Sequence, residues 1–506
     1  MSAPSHRIAL RLFLTCWLVY ALHFATNSVR EIYLGLALGD HLSFRVDEYG
    51  GLHHDLFEMP GRGWHIGNNP GASMLGAVPY AVARPLIDRI VARINQSRAA
   101  SGLTEPPAYK SPWAPARKFY ADAWRRGLDV KLGLGAFVMQ AFCMAPLSAL
   151  SAVVVFLLLR RFLADENERT GPGAGLLDVE EHATTAAPRL RCARVNENAL
   201  WFTLLYAFGT PVFFRTGYLN QNMLVGHCIL GAFAALTLLD GRRAALIAGF
   251  LAGFSLLLDY SGAVVLVCFL LFAAASDRRH IIPFVLAATP PIFLLWFYQW
   301  SSFGHPFYPG QHYMPPVEWI DRGYQGVSGP QLDLAWMLAF DYRFGIFTAC
   351  PLLLAAAAVP FLRQTLLSKR QIWFFFIFFV LFWVFFSSVN YTRLQYNTGV
   401  RYMAPMIPVL YLPTVAVLSR LSRPLLYFIS AAAITQAWCM AMYRDVERGL
   451  GVLDPILHVF LGGFQLPALT TLTRMNLGLE ALANGVSPLP LFALTGALLY
   501  GIWRRV

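Results

Sequence analysis

The chain has 506 residues, of which 57% are hydrophobic and only 13% charged, whereas a soluble globular protein is about 45–50% apolar and about 25% charged. This excludes a water-soluble enzyme, a disordered chain and a nucleic-acid-binding domain, and makes a bilayer the solvent. The formal charge of +12, from 40 Lys and Arg against 28 Asp and Glu, reads as the topology signal of a polytopic protein rather than the mark of an anionic partner.

The first charge-poor run, residues 8–27, has its apolar part, Leu12 to Asn27, preceded by Arg7 and Arg11 but leads into no small-residue cleavage pattern. Residues 1–27 are therefore expected to be a cytosolic N-terminus and a retained first span. Residues 28–132 are a long polar segment in which Gly71 to Ile87 is apolar but holds Pro79 and Pro85, the pattern of an interfacial or re-entrant helix. Further charge-poor runs lie at 133–159, 199–214, 222–239, 244–258, 261–276, 281–300, 344–362, 371–389, 402–419, 424–443 and 487–502, making twelve. At about 20 residues each they need about 240 residues.

The expected fold is an all-α polytopic membrane protein of about 12 transmembrane helices with a large first exterior loop, 28–132, carrying juxtamembrane helices. The transmembrane core, 133–443, holds a flexible cytosolic linker at 160–197 and exterior loops at 301–343 and 388–401. Residues 444–506 supply an exterior segment and the last transmembrane helix. With the N-terminus in the cytosol, Arg242-Arg243, Arg278-Arg279, Arg363 with Lys369-Arg370, Arg420 with Arg423, and Arg504-Arg505 all fall inside. A shift of frame by one span would put these basic pairs outside, so both termini are expected to be cytosolic.

Six of the seven cysteines lie in apolar segments, and no disulfide framework or metal-ligand spacing follows. His53, His54 and His65 near Asp55 match no defined metal site, so neither a metal nor a cofactor is expected.

The first loop reads GDHLSFRVDEYGGLHHDLFEMPGRGWHIGNNPG, packing Asp40, Asp47, Glu48, Asp55 and Glu58 among aromatics, histidines and glycines. A carboxylate here can act as general base on an acceptor hydroxyl within hydrogen-bond reach, or simply solvate a loop. WHIGNNPG, residues 64–71, places a turn before a helix whose first N–H groups can face a phosphate, or is an ordinary Pro-initiated helix. Asp259 and Tyr260 tip the hairpin between the fifth and sixth spans, either as a functional pair or as an exposed turn. His227, alone in the fourth span, reads as an interhelical hydrogen-bond partner. In NYTRLQYNTGVR, residues 390–401, Arg393 and Arg401 flank Tyr396 beside the membrane. Arginine there can clamp a phosphate bidentately or merely snorkel.

GRGWHIGNNPG with its following AVPYAV, YAFGTPVFF, AGFLAGFSLLLDYSG, FYQWSSFGHPFYPG, YRFGIFTACPLLL and NTGVRYMAPMIPVL occur in order from residue 61 to about 410. Together they resemble the GT-C class of membrane glycosyltransferases, in particular bacterial relatives of dolichyl-phosphate-mannose protein mannosyltransferases and aminoarabinose transferases. The resemblance implies transfer of a sugar from a polyprenyl-phosphate donor to a glycan, lipid or protein acceptor at the exterior face of a bacterial inner membrane. It implies an acid of the first loop as base, and basic residues of that loop and of late loops on the leaving phosphate.

Arg401, in GVRYMAP, matches that phosphate role best. His65, Asn69, Arg393, Tyr396 and Asp259 are the other substrate-binding candidates. Two departures stand out. Thr26-Asn27-Ser28 replaces an acidic pair common in relatives, which moves the base to Asp47 or, second, Asp55. Asn68-Asn69 replaces a frequent lysine, leaving an amide or His65 to take its place. The rival readings are a twelve-span secondary transporter, against which the unequal halves and nearly charge-free spans weigh, and a GT-C-shaped scaffold without catalysis.

Overall fold

The computed structural model describes residues 3–26, 29–111, 113–170, 188–316, 322–324, 326–363, 365–395, 399–443, 450–475 and 485–504. Among them the apolar runs are mostly helical. The elements are α1 (Ala3–Leu22), α2 (Arg30–His41), β1 (Leu56–Met59), β2 (Gly63–Ile66), α3 (Gly71–Ala100), α4 (Ala114–Arg125), α5 (Asp129–Met139), α6 (Ala145–Thr170) and α7 (Pro188–Gly209). They continue with α8 (Val212–Arg215), α9 (Gln221–Leu238), α10 (Gly241–Leu258), α11 (Gly262–Ser276), α12 (Ile281–Phe303), α13 (Leu332–Phe340), α14 (Ile346–Ala349) and α15 (Lys369–Ser387). The last are α16 (Ile407–Leu418), α17 (Arg423–Met442), α18 (Leu453–Gly462), α19 (Pro467–Arg474) and α20 (Leu489–Trp503).

The protein is all-α but for one antiparallel hairpin, β1–β2, among the described residues. Among the described residues six helical stretches, α5 and α6 counted as one, are long and apolar enough to cross a bilayer, or seven if α18 and α19, bent by 72°, make one span. The expected twelve are not reached by that measure, for identifiable reasons. The helices α11 and α20 have only 15 residues each. The run 344–362 breaks at Cys350, whose φ of −152° leaves the helical region just before Pro351, and resumes as a 3-10 helix, Pro351–Phe361; a residue before proline avoids the α region.

Two further segments differ in extent from expectation. The stretch Gly71 to Ile87, expected as an interfacial or re-entrant helix, is the first half of α3, which runs 30 residues through both prolines, about 45 Å at 1.5 Å per residue. The linker expected at 160–197 is helical at both ends, in α6 to Thr170 and in α7 from Pro188.

Close helix contacts come from small residues. A Cβ on Gly249 or Gly253 of α10 would run into the backbone of Phe284 and Ala288 on α12, so the spacing Gly-x-x-x-Gly lets the two backbones approach. The helices α5 and α6 join through a π turn, Gln140–Met144. There the buried Gln140 amide donates to Tyr20 O (2.9 Å) and Thr216 O (3.0 Å), tying α1 to the segment before α9. Outward faces carry Phe293, Trp300, Trp373, Phe376 and Phe428, all exposed, as helices against lipid do.

Candidate functional site

The helix α2 starts at Arg30, so Arg30 and Glu31 occupy its first turn, where the helix dipole favours Glu31. The turn His53–Asp55 precedes β1 and folds back over that helix start. Asp55 Oδ2 lies 3.0 Å from Arg30 Nη1, and Arg30 Nε lies 3.3 Å from Glu31 Oε1. The other Asp55 oxygen, Oδ1, faces His54 Nε2 at 3.4 Å. The Asp55 backbone N–H donates to His53 Nδ1 (3.1 Å), and the two imidazoles stack at 4.3 Å.

From Glu31 the polar contacts continue inward. Asn68 Nδ2 lies 3.3 Å from Glu31 Oε1 and 3.3 Å from Gln221 Oε1. Gln221 Nε2 donates to Asp259 Oδ2 (2.9 Å), and Ser261 N–H donates to Asp259 Oδ1 (2.9 Å). A continuous chain thus joins α2, the Asn-Asn-Pro-Gly turn, the start of α9 and the end of α10. Glu31, Asn68 and Gln221 are buried, which requires this mutual satisfaction.

Arg401 approaches from the late loop. It is half-buried, donates from Nη1 to Leu394 O (3.0 Å) and Gln395 O (3.3 Å), and sits 5.0 Å above the Tyr402 ring. Its charge acts on His53 together with those of His54 and Arg30, and Tyr402 acts on Arg30.

Burial alone would push the Asp55 carboxyl up, but Arg30 first, then His53 and His54, more than offset it and hold it at about 2. For His53, burial dominates and lowers it to about 4, against the opposing pull of Asp55. Burial opposes the charge of Arg30 too, yet Asp55 and Glu31 outweigh it and keep the guanidinium protonated.

Asp47, the first-choice base, lies elsewhere. Its Oδ1 accepts the Trp64 backbone N–H (2.7 Å) and its Oδ2 pairs with Arg45 (2.6 Å), with the side chain 45% exposed. It borders a cleft of about 370 Å³ lined also by His41, Ser43, Glu48 and Tyr49. Behind it Lys131 Nζ bridges Asp40 (2.9 Å) and Glu48 (3.1 Å), and Arg84 adds a second contact to Asp40 (3.3 Å). These bonds fasten α2 to α3 and α5.

Asn69 donates to Leu256 O (2.7 Å), satisfying a terminal carbonyl of α10, and Gly71 is packed against the Leu257 carbonyl. The start of α3 is thereby filled by protein, and Asn69 does not stand in for a phosphate-binding lysine. His65 is buried, with Nε2 at 3.2 Å from Arg62 O and its ring against Phe303. Arg393 is held by Asp333 (2.6 Å) and Gln331 (2.8 Å). Tyr396 and Asn27 lie outside the described residues. His227 meets Ser148 (2.8 Å), an interhelical contact as expected.

His53, His54 and Asp55 bring ligand atoms within 4.8 Å of one another. However, His53 Nδ1 already accepts a backbone N–H and Asp55 Oδ2 already meets Arg30.

Sequence reasoning brought Asp55, Arg401 and Asp259 forward and missed Arg30, Glu31 and Gln221. The signal for Arg30 and Glu31 was an adjacent ion pair a few residues past the first span. For Gln221 it was its place after Asn220, which caps α9 by accepting the Met223 N–H (3.2 Å). The chain matches no family model, no curated protein and no solved structure.

Proposed function

We propose that this protein is a GT-C-type membrane glycosyltransferase, moving a sugar from a polyprenyl-phosphate donor to an acceptor on the exterior face of a bacterial inner membrane. The observation that carries the reading is the buried Asp55–Arg30 pair of the first loop, joined through Glu31, Asn68 and Gln221 to Asp259, with Arg401 of a late loop as the cation whose charge reaches the neighbouring His53. In such a transfer the acceptor oxygen attacks the anomeric carbon as the bond to the phosphate oxygen breaks. The electron pair goes to the phosphate, and the acceptor proton leaves at the Asp55 cluster. Fixed guanidinium groups stabilise the charge that develops on the phosphate, the role this reading gives to Arg401.

Twelve crossings belong to this reading: the six long helices, the four shorter apolar ones, α1 and α7. Contacts between distant segments support its sidedness. Arg62 Nη1 to Ser301 O (3.1 Å) and Lys110 N to Arg474 O (2.8 Å) join segments assigned to the exterior. Arg370 Nη2 to Ser276 Oγ (2.5 Å) joins cytosolic ends.

The test supplies membranes containing the protein with radiolabelled polyprenyl-phosphate sugars. Wild type is expected to transfer label, and Asp55→Asn and Arg401→Ala to lose it by about 100-fold or more. Equal transfer by all three sinks the site; silence with every donor sinks the reaction and favours the transporter or the scaffold.

A further inference from the structure

The helix α3 turns one face to the rest of the protein and leaves the opposite face uncovered. On the packed face Ser73 Oγ donates to Glu31 O (2.7 Å), Tyr80 OH donates to Asp40 Oδ1 (2.9 Å), and Gly76 and Ile87 are buried. These contacts hold the helix in one orientation. On the far side Val78, Val82 and Leu86 are 66%, 81% and 62% exposed, and their spacing of four residues puts them on one stripe. Arg89 and Arg93 continue that stripe over the next two turns. Both are exposed, and neither pairs with a carboxylate among the described residues. The adjacent acid, Asp88, points off the stripe and is engaged by Arg84 (3.3 Å).

Independently of the reaction the protein performs, we propose that this face of α3 binds phospholipids whose headgroup carries a net negative charge. The aliphatic ridge lies along the acyl chains, and Arg89 with Arg93 holds the headgroup phosphate.

The order of the side chains along the helix axis favours a lipid over a protein partner. Val78 to Leu86 spans about 12 Å at 1.5 Å per residue, within the hydrocarbon depth of one leaflet, about 15 Å. The change to guanidinium comes once, at the next turn. A lipid presents acyl chain and then phosphate in that sequence, whereas a protein interface surrounds an apolar centre with a polar rim. Three large aliphatics on one exposed stripe form an interaction patch, unlike apolar residues scattered singly. Arginine stems cover apolar surface while carrying their charge outward to the phosphate level. Because the two guanidiniums bring positive charge that no carboxylate offsets, phosphatidylglycerol is preferred to phosphatidylcholine, by about fivefold for each arginine.

The experiment attaches a bimane fluorophore to Val82→Cys in the full-length chain carrying Cys192→Ser, reconstituted in phosphatidylcholine vesicles. It measures quenching by added phosphatidylglycerol or phosphatidylcholine bearing a nitroxide on the acyl chain. Both lipids are expected to quench, phosphatidylglycerol at a mole fraction lower by about 10-fold or more. Arg89→Gln with Arg93→Gln is expected to keep the quenching and lose the preference, and Arg89→Lys with Arg93→Lys to retain most of it. Arg242→Gln with Arg243→Gln, which removes the same charge elsewhere, is expected to change nothing.

Absence of quenching by either lipid would mean that the ridge meets protein or water, and overturns the proposal. Equal quenching by the two lipids in the parent chain overturns it as well, leaving a helix that faces lipid without selecting it. So does a preference that survives Arg89→Gln with Arg93→Gln. Loss of preference in the Arg242–Arg243 variant would make net charge the cause, and its loss on adding excess glycerophosphoglycerol would make the ligand a soluble phosphate; either overturns the proposal.

Discussion

Asp47 and Asp55 belong to the same loop and carry the same functional group, yet the fold gives them different work. Asp47 pins β2 through the Trp64 N–H, and a Cβ on Gly63, whose φ is +86°, would meet its carboxylate at 2.5 Å. Asp47→Ala is therefore expected to leave transfer within about threefold of wild type and to weaken the hairpin by about 1 kcal/mol, the net worth of a lost hydrogen bond, read by thermal melting in detergent. The spacing of the two acids along the chain held no clue to this division, because the deciding partner of Asp55, Arg30, arrives on a different element.

The same cluster sets an acid limit on stability. His53 is lowered to about 4. As pH falls below about 6.5 the unfolded imidazole binds a proton that the folded one refuses, so stability is complete above that pH and declines toward about 4. Asp55, lowered to about 2, contributes stability that is present above about 4 and lost as pH falls toward 2. Detergent melts are expected to lose about 3 kcal/mol over the first window, and His53→Asn, whose amide oxygen can still accept the Asp55 N–H, to flatten that limb. An unchanged limb in the variant would assign the acid sensitivity to another group.

At the scale of elements, hydropathy made helix positions legible and helix lengths less so. The runs 222–239, 244–258 and 371–389 correspond closely to α9, α10 and α15, because an apolar face or cylinder is fixed by composition alone. Where prolines interrupt a run, as at Pro351, Pro405 and Pro408, the chain divides into short turns and helices, and hydropathy does not register the break. The Asn68-Asn69 pair was legible as a turn but not in its role: whether an amide meets a ligand or a helix end depends on α10 terminating beside it. The glycine pair on α10 was open to reading from its spacing. Gly249→Leu places a branched side chain where the Phe284 backbone now lies, so it is expected to cost at least about 3 kcal/mol of stability or the folded yield. Gly496→Ala, at a helix position with nothing within 4 Å, is expected to change neither, and equal behaviour of the two variants would remove α10–α12 packing as the cause.

For the whole molecule, the proposed crossings have a parity that can be counted. Ser101 and Asp277 are separated by five of them, through α5–α6, α7, α9, α10 and α11, of which α7 and α11 are not among the long apolar helices. Asp277 and Ser422 are separated by four: α12, the 3-10 helix, α15 and α16. Ser422 and Ser487 are separated by α17 alone if α18–α19 does not cross. All four residues are exposed, while the six described cysteines are buried and unpaired, which leaves Cys192 to be replaced by serine. Single cysteines at the four positions, treated with a membrane-impermeant maleimide on right-side-out vesicles, are expected to label at 101 and 487 and to stay dark at 277 and 422 until the vesicles are opened. Labelling at 277 would mean that one helix in the first interval, α7 or α11 before the others, fails to cross. Opposite labelling at all four would reverse the orientation and place the Asp55 cluster in the cytosol, where the exterior transfer proposed for it has no acceptor. The short basic hairpins predict the first pattern, since only that frame keeps all of them in the cytosol.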